Sequence, residues 1–142
     1  MIKYPISFFA KAESHQGINS GWQIESQNFT TNCAVPTEFE GPGGALSPED
    51  LFAQALTSCF IATFKVYAEK SKISFKHLGV KTELITDLDE SKKPVMKICL
   101  LHVVIEGCES PDRVKTIADK AFKSGFILNS VKTELKMELH FA

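Results

Sequence analysis

The chain has 142 residues, enough to bury a core without disulfide staples. A net charge of −1, with 23% charged residues, gives no basic field for a nucleic-acid partner. The opening MIKYPISFFAKAE is too short in apolar residues for an export leader, and no run reaches membrane-spanning length. A cytoplasmic single domain over residues 1–142, with no membrane partner, is the expectation.

In chain order, the N-terminal third reads as short strands: Ile2 to Phe9, Gly21 to Phe29 and, weakly, Thr31 to Phe39. A long helix follows. Ser47 is its N-cap, Pro48 its first residue, and Glu49 and Asp50 are acidic in the first turn. Ser47 and Asp50 form a weak capping box, with Asp in the Glu place. Phe52, Ala55, Leu56, Cys59, Phe60, Thr63 and Phe64 recur at helical spacing, and the helix reaches about Lys70. Val80 to Leu88 is a strand, and Asp89 to Pro94 a turn. Met96 to Ile105 is more continuously apolar and β-branched, as in a central strand with both faces at least partly covered. Ser110 caps a second helix with Pro111 at its first position; Val114, Ile117, Ala118, Ala121 and Phe122 form its stripe. Gly125 suits a left-handed helix end. Val131 to Phe141 alternates apolar and polar as a half-buried strand.

This order predicts an α+β fold, a mainly antiparallel sheet packed on a long central helix. That helix is apolar around much of its circumference, including Leu51, Ile61, Val66 and Tyr67. One sheet covers one side of a helix, so a second subunit is expected on the other.

Chemistry-bearing residues each have a bland reading beside the sharp one. Gly41-Pro42-Gly43-Gly44 ahead of a helix could offer N–H groups to an anion, but Ala45-Leu46-Ser47 replaces the Gly-Lys-Ser/Thr of a phosphate loop, favouring a connector. Cys99 and His102, three apart on a strand, point to opposite faces, and no metal is expected. Cys33, Cys99 and Cys108 read as reduced thiols. Cys59 is either core filler or a working thiol. At pH 7 only about 3% of an ordinary thiol is ionised, so a working one needs a cation or donor to offset burial. Glu49 lies ten residues earlier, a rise of about 15 Å along one helix. It can reach only the Cys59 of a second copy, unless the helix breaks.

Residues 47 to 60, SPEDLFAQALTSCF, preceded by the glycine loop, resemble the signature of the OsmC/Ohr family of osmotically inducible and organic-hydroperoxide-resistance proteins. Phe126-Ile127-Leu128-Asn129-Ser130-Val131-Lys132 resembles the segment before that family's last strand. The resemblance implies an intertwined homodimer with active sites at the dimer interface. It makes Cys59 the peroxide-attacking thiol and Glu49 the holder of an activating arginine from the N-terminal region. This chain departs twice. The family's resolving cysteine falls at Gly125, and Arg113 is the only arginine, leaving His15 or Lys11 as the N-terminal cation. Cys33, Cys99 or Cys108 are possible substitutes for the resolving thiol, and spacing nominates none. Arg113 itself reads as a solvated charge in the first turn of its helix.

Two functions compete. One is a one-cysteine hydroperoxide reductase for oxidative-stress defence, with Cys59, Glu49 and His15 in the site, an organic hydroperoxide as substrate and an external thiol as reductant. The other is a catalytically weakened relative that binds a small apolar ligand at the dimer interface through Phe52, Phe60 and Phe64. Neither needs a cofactor.

Overall fold

The first ten residues form no strand in the computed structural model, which describes residues 1–142. This corrects the expected strand Ile2 to Phe9. The apolar pattern there is real, but a strand needs a ladder partner, and this segment pairs with none. The chain divides into two compact units, Met1–Leu51 and Phe52–Ala142.

The first unit holds a three-stranded antiparallel sheet of β1 (Lys11–Glu13), β2 (Trp22–Ser26) and β3 (Phe29–Cys33), in the order β1-β2-β3. The expected strand Gly21 to Phe29 is cut by a two-residue turn. Gln27 and Asn28 both have positive φ, 53° and 67°, as a tight hairpin turn requires. The expected strand Thr31 to Phe39 also ends early, at Cys33. Pro36 removes a donor, and Thr37–Phe39 closes into a 3₁₀ turn.

The long helix α1 spans Pro48–Lys70, its first turn belonging to the first unit. Its start is the expected reciprocal cap. Asp50 Oδ2 accepts from the Ser47 N–H at 2.9 Å and from Ser47 Oγ–H at 3.0 Å, and the Asp50 N–H donates to Ser47 Oγ at 3.0 Å. By length and composition α1 is long and apolar enough to cross a membrane, against the expectation that no run is. A core helix passes the same test, and Leu56, Phe60, Phe64 and Ala68 of α1 lie in the core of the second unit.

The second unit adds β4 (His77–Leu88), β5 (Pro94–Glu106), α2 (Pro111–Ser124) and β6 (Glu134–Phe141). β5 is central, antiparallel to β4 and parallel to β6, with α2 as the crossover. The β4–β5 turn is pinned by Asp89, whose Oδ1 accepts from the N–H groups of Ser91 and Lys93 at 2.8 and 3.0 Å. Cys99, Leu101, Val103 and Ile105 lie on one face of β5, all fully buried. Register places Leu78, Val80 and Leu84 of β4 and Leu135, Met137 and Leu139 of β6 on that same face. With the α1 residues and Val114, Ile117, Ala118 and Ala121 of α2 they form one apolar core. β6 starts three residues later than the alternation suggested, after a 3₁₀ turn at Leu128–Ser130.

Candidate thiol site

Cys59 lies in the middle of α1, half-buried against the core. Its sulfur meets the C-terminal end of α2. A Cβ built on Gly125 would fall 2.8 Å from Cys59 Sγ, 3.1 Å from Leu128 Cδ1 and 3.2 Å from the Ala121 carbonyl oxygen. The backbone at Gly125 is φ −56°, ψ 136°, a conformation open to any residue. The left-handed helix end expected there is therefore absent. A side chain at 125 would require the Cys59 sulfur to move aside.

Two hydroxyl contacts hold α1 in place around this thiol. Thr57 Oγ1 gives its one hydrogen to the Ala53 carbonyl at 2.7 Å, so in its 2.6 Å contact with Thr82 Oγ1 it accepts. Ser124 Oγ donates to the Lys120 carbonyl at 2.7 Å, so Tyr67 is the donor in their 2.7 Å hydrogen bond. Lys120 Nζ sits 4.6 Å from the centre of the Tyr67 ring. The helix end facing Cys59 is a C-terminal one, the negative end of its dipole. The positive charge a thiolate needs has to come from another direction.

Glu49, in the first turn of α1, has one carboxylate oxygen, Oε1, buried without any hydrogen-bond partner. α1 runs unbroken from Glu49 to Cys59, so the two are about 15 Å apart along the axis and do not meet within one chain. His15 and Lys11 are both exposed; Lys11 lies 3.6 Å from Glu25 on the neighbouring strand. Phe60 and Phe64 are fully buried, their rings 6.0 Å apart, and Phe52 packs partly buried against the same core. Exposed Phe126 and Ile127 follow Gly125 directly in the chain.

The glycine loop turns its donors inward. Gly41 N–H donates to the Pro36 carbonyl and Gly43 N–H to that of Val35, at 3.0 and 3.1 Å. Those groups hold a connector rather than an anion. Cys99 and His102 do fall on opposite faces of β5: Cys99 is in the core, and His102 Nδ1 lies 3.0 Å from Glu138 Oε2. No three His, Cys, Asp or Glu side chains converge as metal ligands. Burial pushes the Cys99 thiol above its ordinary range. Arg113 is exposed, yet it has a partner the sequence did not suggest: its Nη2 donates to the Ser71 carbonyl at 2.8 Å, just past the end of α1.

The family model for OsmC-like protein matches residues 41–140, from the glycine loop through Cys59 and Gly125 into β6. The chain belongs to the OsmC-like family. It is 27% identical over 138 residues to the protein YmaD of Bacillus subtilis, covering 93% of this chain and 91% of YmaD. Solved structures share the fold. An OsmC-like protein of unknown function from Vibrio cholerae superposes with a TM-score of 0.83 at 20% identity, covering 95% of this chain and 99% of that one. An organic hydroperoxide resistance protein from Elizabethkingia anophelis gives 0.76 at 19% identity, covering 99% of each chain. The OsmC-like fold expected from the signature is therefore present, built as two three-stranded sheets with one parallel pair.

Proposed function

We propose that this OsmC-like protein is a thiol-dependent reductase of organic hydroperoxides of the one-cysteine type, acting as a homodimer in oxidative-stress defence. Glu49 carries the reading. A buried carboxylate oxygen without a donor is destabilising by about 1–3 kcal/mol, and is retained where a donor completes it in the working state. The helix rise keeps that carboxylate from its own Cys59, so Glu49 and the cation it holds serve the Cys59 of a second copy. His15 or Lys11 is the cation, in place of the family's arginine.

The Cys59 thiolate attacks the terminal oxygen of ROOH. The S–O bond forms, the O–O bond breaks, and the alkoxide leaves as ROH after taking a proton. Cys59 is then a sulfenic acid. An external thiol displaces water from it to form a mixed disulfide, and a second thiol releases Cys59 and the external disulfide. Exposed apolar Phe126 and Ile127, next in the chain to the glycine at the sulfur, support an apolar R group over hydrogen peroxide. The same exposed apolar pair supports a second reading, a small apolar ligand held at the dimer interface with Cys59 as packing.

Stopped-flow oxidation by cumene hydroperoxide tests this. The wild type should react far faster than free cysteine, and Cys59→Ser not at all. A wild-type rate equal to that of free cysteine removes the reductase reading. Unchanged ligand affinity in Cys59→Ala would then favour the second.

A further inference from the structure

We propose that Asp50 is a positioning residue for Glu49: it takes up the hydrogen-bond donors at the start of α1, so that the neighbouring carboxylate stays open to a cation from outside the helix. This rests on the reductase reading, in which Glu49 and its cation serve the Cys59 of a second copy.

A helix start carries unpaired N–H groups, and acidic side chains in the first turn ordinarily take them. At α1 these donors are already engaged. Pro48, the first helical residue, has no N–H. The Ser47 N–H and Oγ–H both go to Asp50 Oδ2, at 2.9 and 3.0 Å. The Asp50 N–H goes back to Ser47 Oγ at 3.0 Å, and the Leu51 N–H to the Ser47 carbonyl at 3.2 Å. Ser47 and Asp50 satisfy each other, while Glu49 Oε1 between them is buried with no partner. One acid of the pair closes the cap, and the other is kept open.

The cap is itself anchored to the first sheet. The Leu46 N–H donates to the Asn32 carbonyl at 3.1 Å, and the Leu46 carbonyl accepts from the Ala34 N–H at 3.0 Å, a parallel bridge to the end of β3. Further back, Gly41 packs so closely on the Val35 carbonyl that a Cβ there would overlap it. With the backbone held in this way, the choice between the two acids is made by their side chains. Asp50→Asn keeps the shape and removes the charge. The Ser47 donors then face a neutral amide and, two residues along, the Glu49 carboxylate. Hydrogen bonds to an ionised acceptor are about twice as strong as neutral ones, so Ser47 turns to Glu49 and the open oxygen closes.

Alkylation of Cys59 by iodoacetamide, followed from pH 5 to 10 by peptide mass mapping, reads the thiolate and needs no peroxide. Asp50→Asn should react severalfold more slowly than wild type at pH 7, with its profile moved to higher pH. Glu49→Gln should do the same, and the double variant should be no slower than Glu49→Gln alone, because Asp50 acts through Glu49. Asp50→Glu, which keeps the charge that closes the cap, should restore the wild-type profile. Mere loss of a nearby negative charge would move the profile the opposite way, by favouring the thiolate. A folded Asp50→Asn with the wild-type profile overturns the proposal. So does a Glu49→Gln with the wild-type profile, or a double variant slowed by the product of the two single effects. If Asp50→Asn does not fold, Asp50→Ser, also suited to a helix start, takes its place with the same expectation. Stopped-flow oxidation of the same proteins by cumene hydroperoxide separates the two readings. No reaction in wild type removes the reductase reading, while the alkylation profiles still decide what Asp50 does.

Discussion

Tyr67 donates its hydroxyl hydrogen to Ser124 across 2.7 Å, tying the last third of α1 to the final turn of α2. Ser124 precedes the glycine whose backbone faces Cys59, so this bond anchors the end of α2 that carries that glycine. Tyr67→Phe removes the donor, while Ser124 keeps its bond to the Lys120 carbonyl. We expect a loss of about 1 kcal/mol in urea unfolding. Iodoacetamide should also alkylate Cys59 severalfold faster, as the end of α2 loosens.

Gly125→Ala places a methyl group against the Cys59 sulfur at 2.8 Å. Overpacking of this kind destabilises by about 1–3 kcal/mol. Combining it with Cys59→Ala frees the space, so the two substitutions should couple favourably by at least about 1 kcal/mol in a double-mutant cycle. Strict additivity would mean that the sulfur is not what excludes a side chain there.

Cys99 gives a pH signature. Its folded thiol titrates above its ordinary range because burial disfavours the thiolate. In the unfolded chain it ionises above about pH 8.5, while the folded chain keeps the proton. The unfolded state then binds fewer protons, and stability falls as pH rises, by up to about 1.4 kcal/mol per pH unit between the two values. Urea unfolding from pH 7 to 10 should show this alkaline loss, and Cys99→Ala should show less of it.

Glu49→Gln keeps the shape and removes the charge. The rate with cumene hydroperoxide should fall by about a hundredfold if Glu49 positions the cation that faces the thiol. Folding stability should hold or rise, because the buried oxygen has no partner to lose. A large stability loss with an unchanged rate would assign Glu49 a structural role instead.

Local chemistry was legible in the sequence where neighbours in the chain decide the outcome. Ser47-Pro48 and Ser110-Pro111 mark both helix starts, and the alternation ending at Phe141 marks the last strand. The continuous apolar run at Met96 to Ile105 reads correctly as the central strand, although only the Cys99, Leu101, Val103 and Ile105 face is fully buried and the other is partly covered. What failed depends on distant residues. Period-two apolar residues at Ile2 to Phe9 say that a face needs covering, but not by what. Gln27-Asn28 turns without a glycine to announce it. Gly125 resembles a helix stop, and its real constraint is a sulfur on another helix. Arg113 looks like a solvated charge until folding brings the Ser71 carbonyl beside it. The signature pointed to Cys59 and Glu49, but the orphaned oxygen of Glu49 could not be read from it.

The parallel pairing of β5 with β6 also has a consequence for biosynthesis. The central strand receives its second neighbour only after α2 has been made, and the ladder closes with the Ala142 N–H on the Ile105 carbonyl at 3.0 Å. Until β6 leaves the ribosome, the row Leu101, Val103 and Ile105 borders an open edge. A nascent chain paused within α2 would be a prime client for chaperones that shield sticky strands.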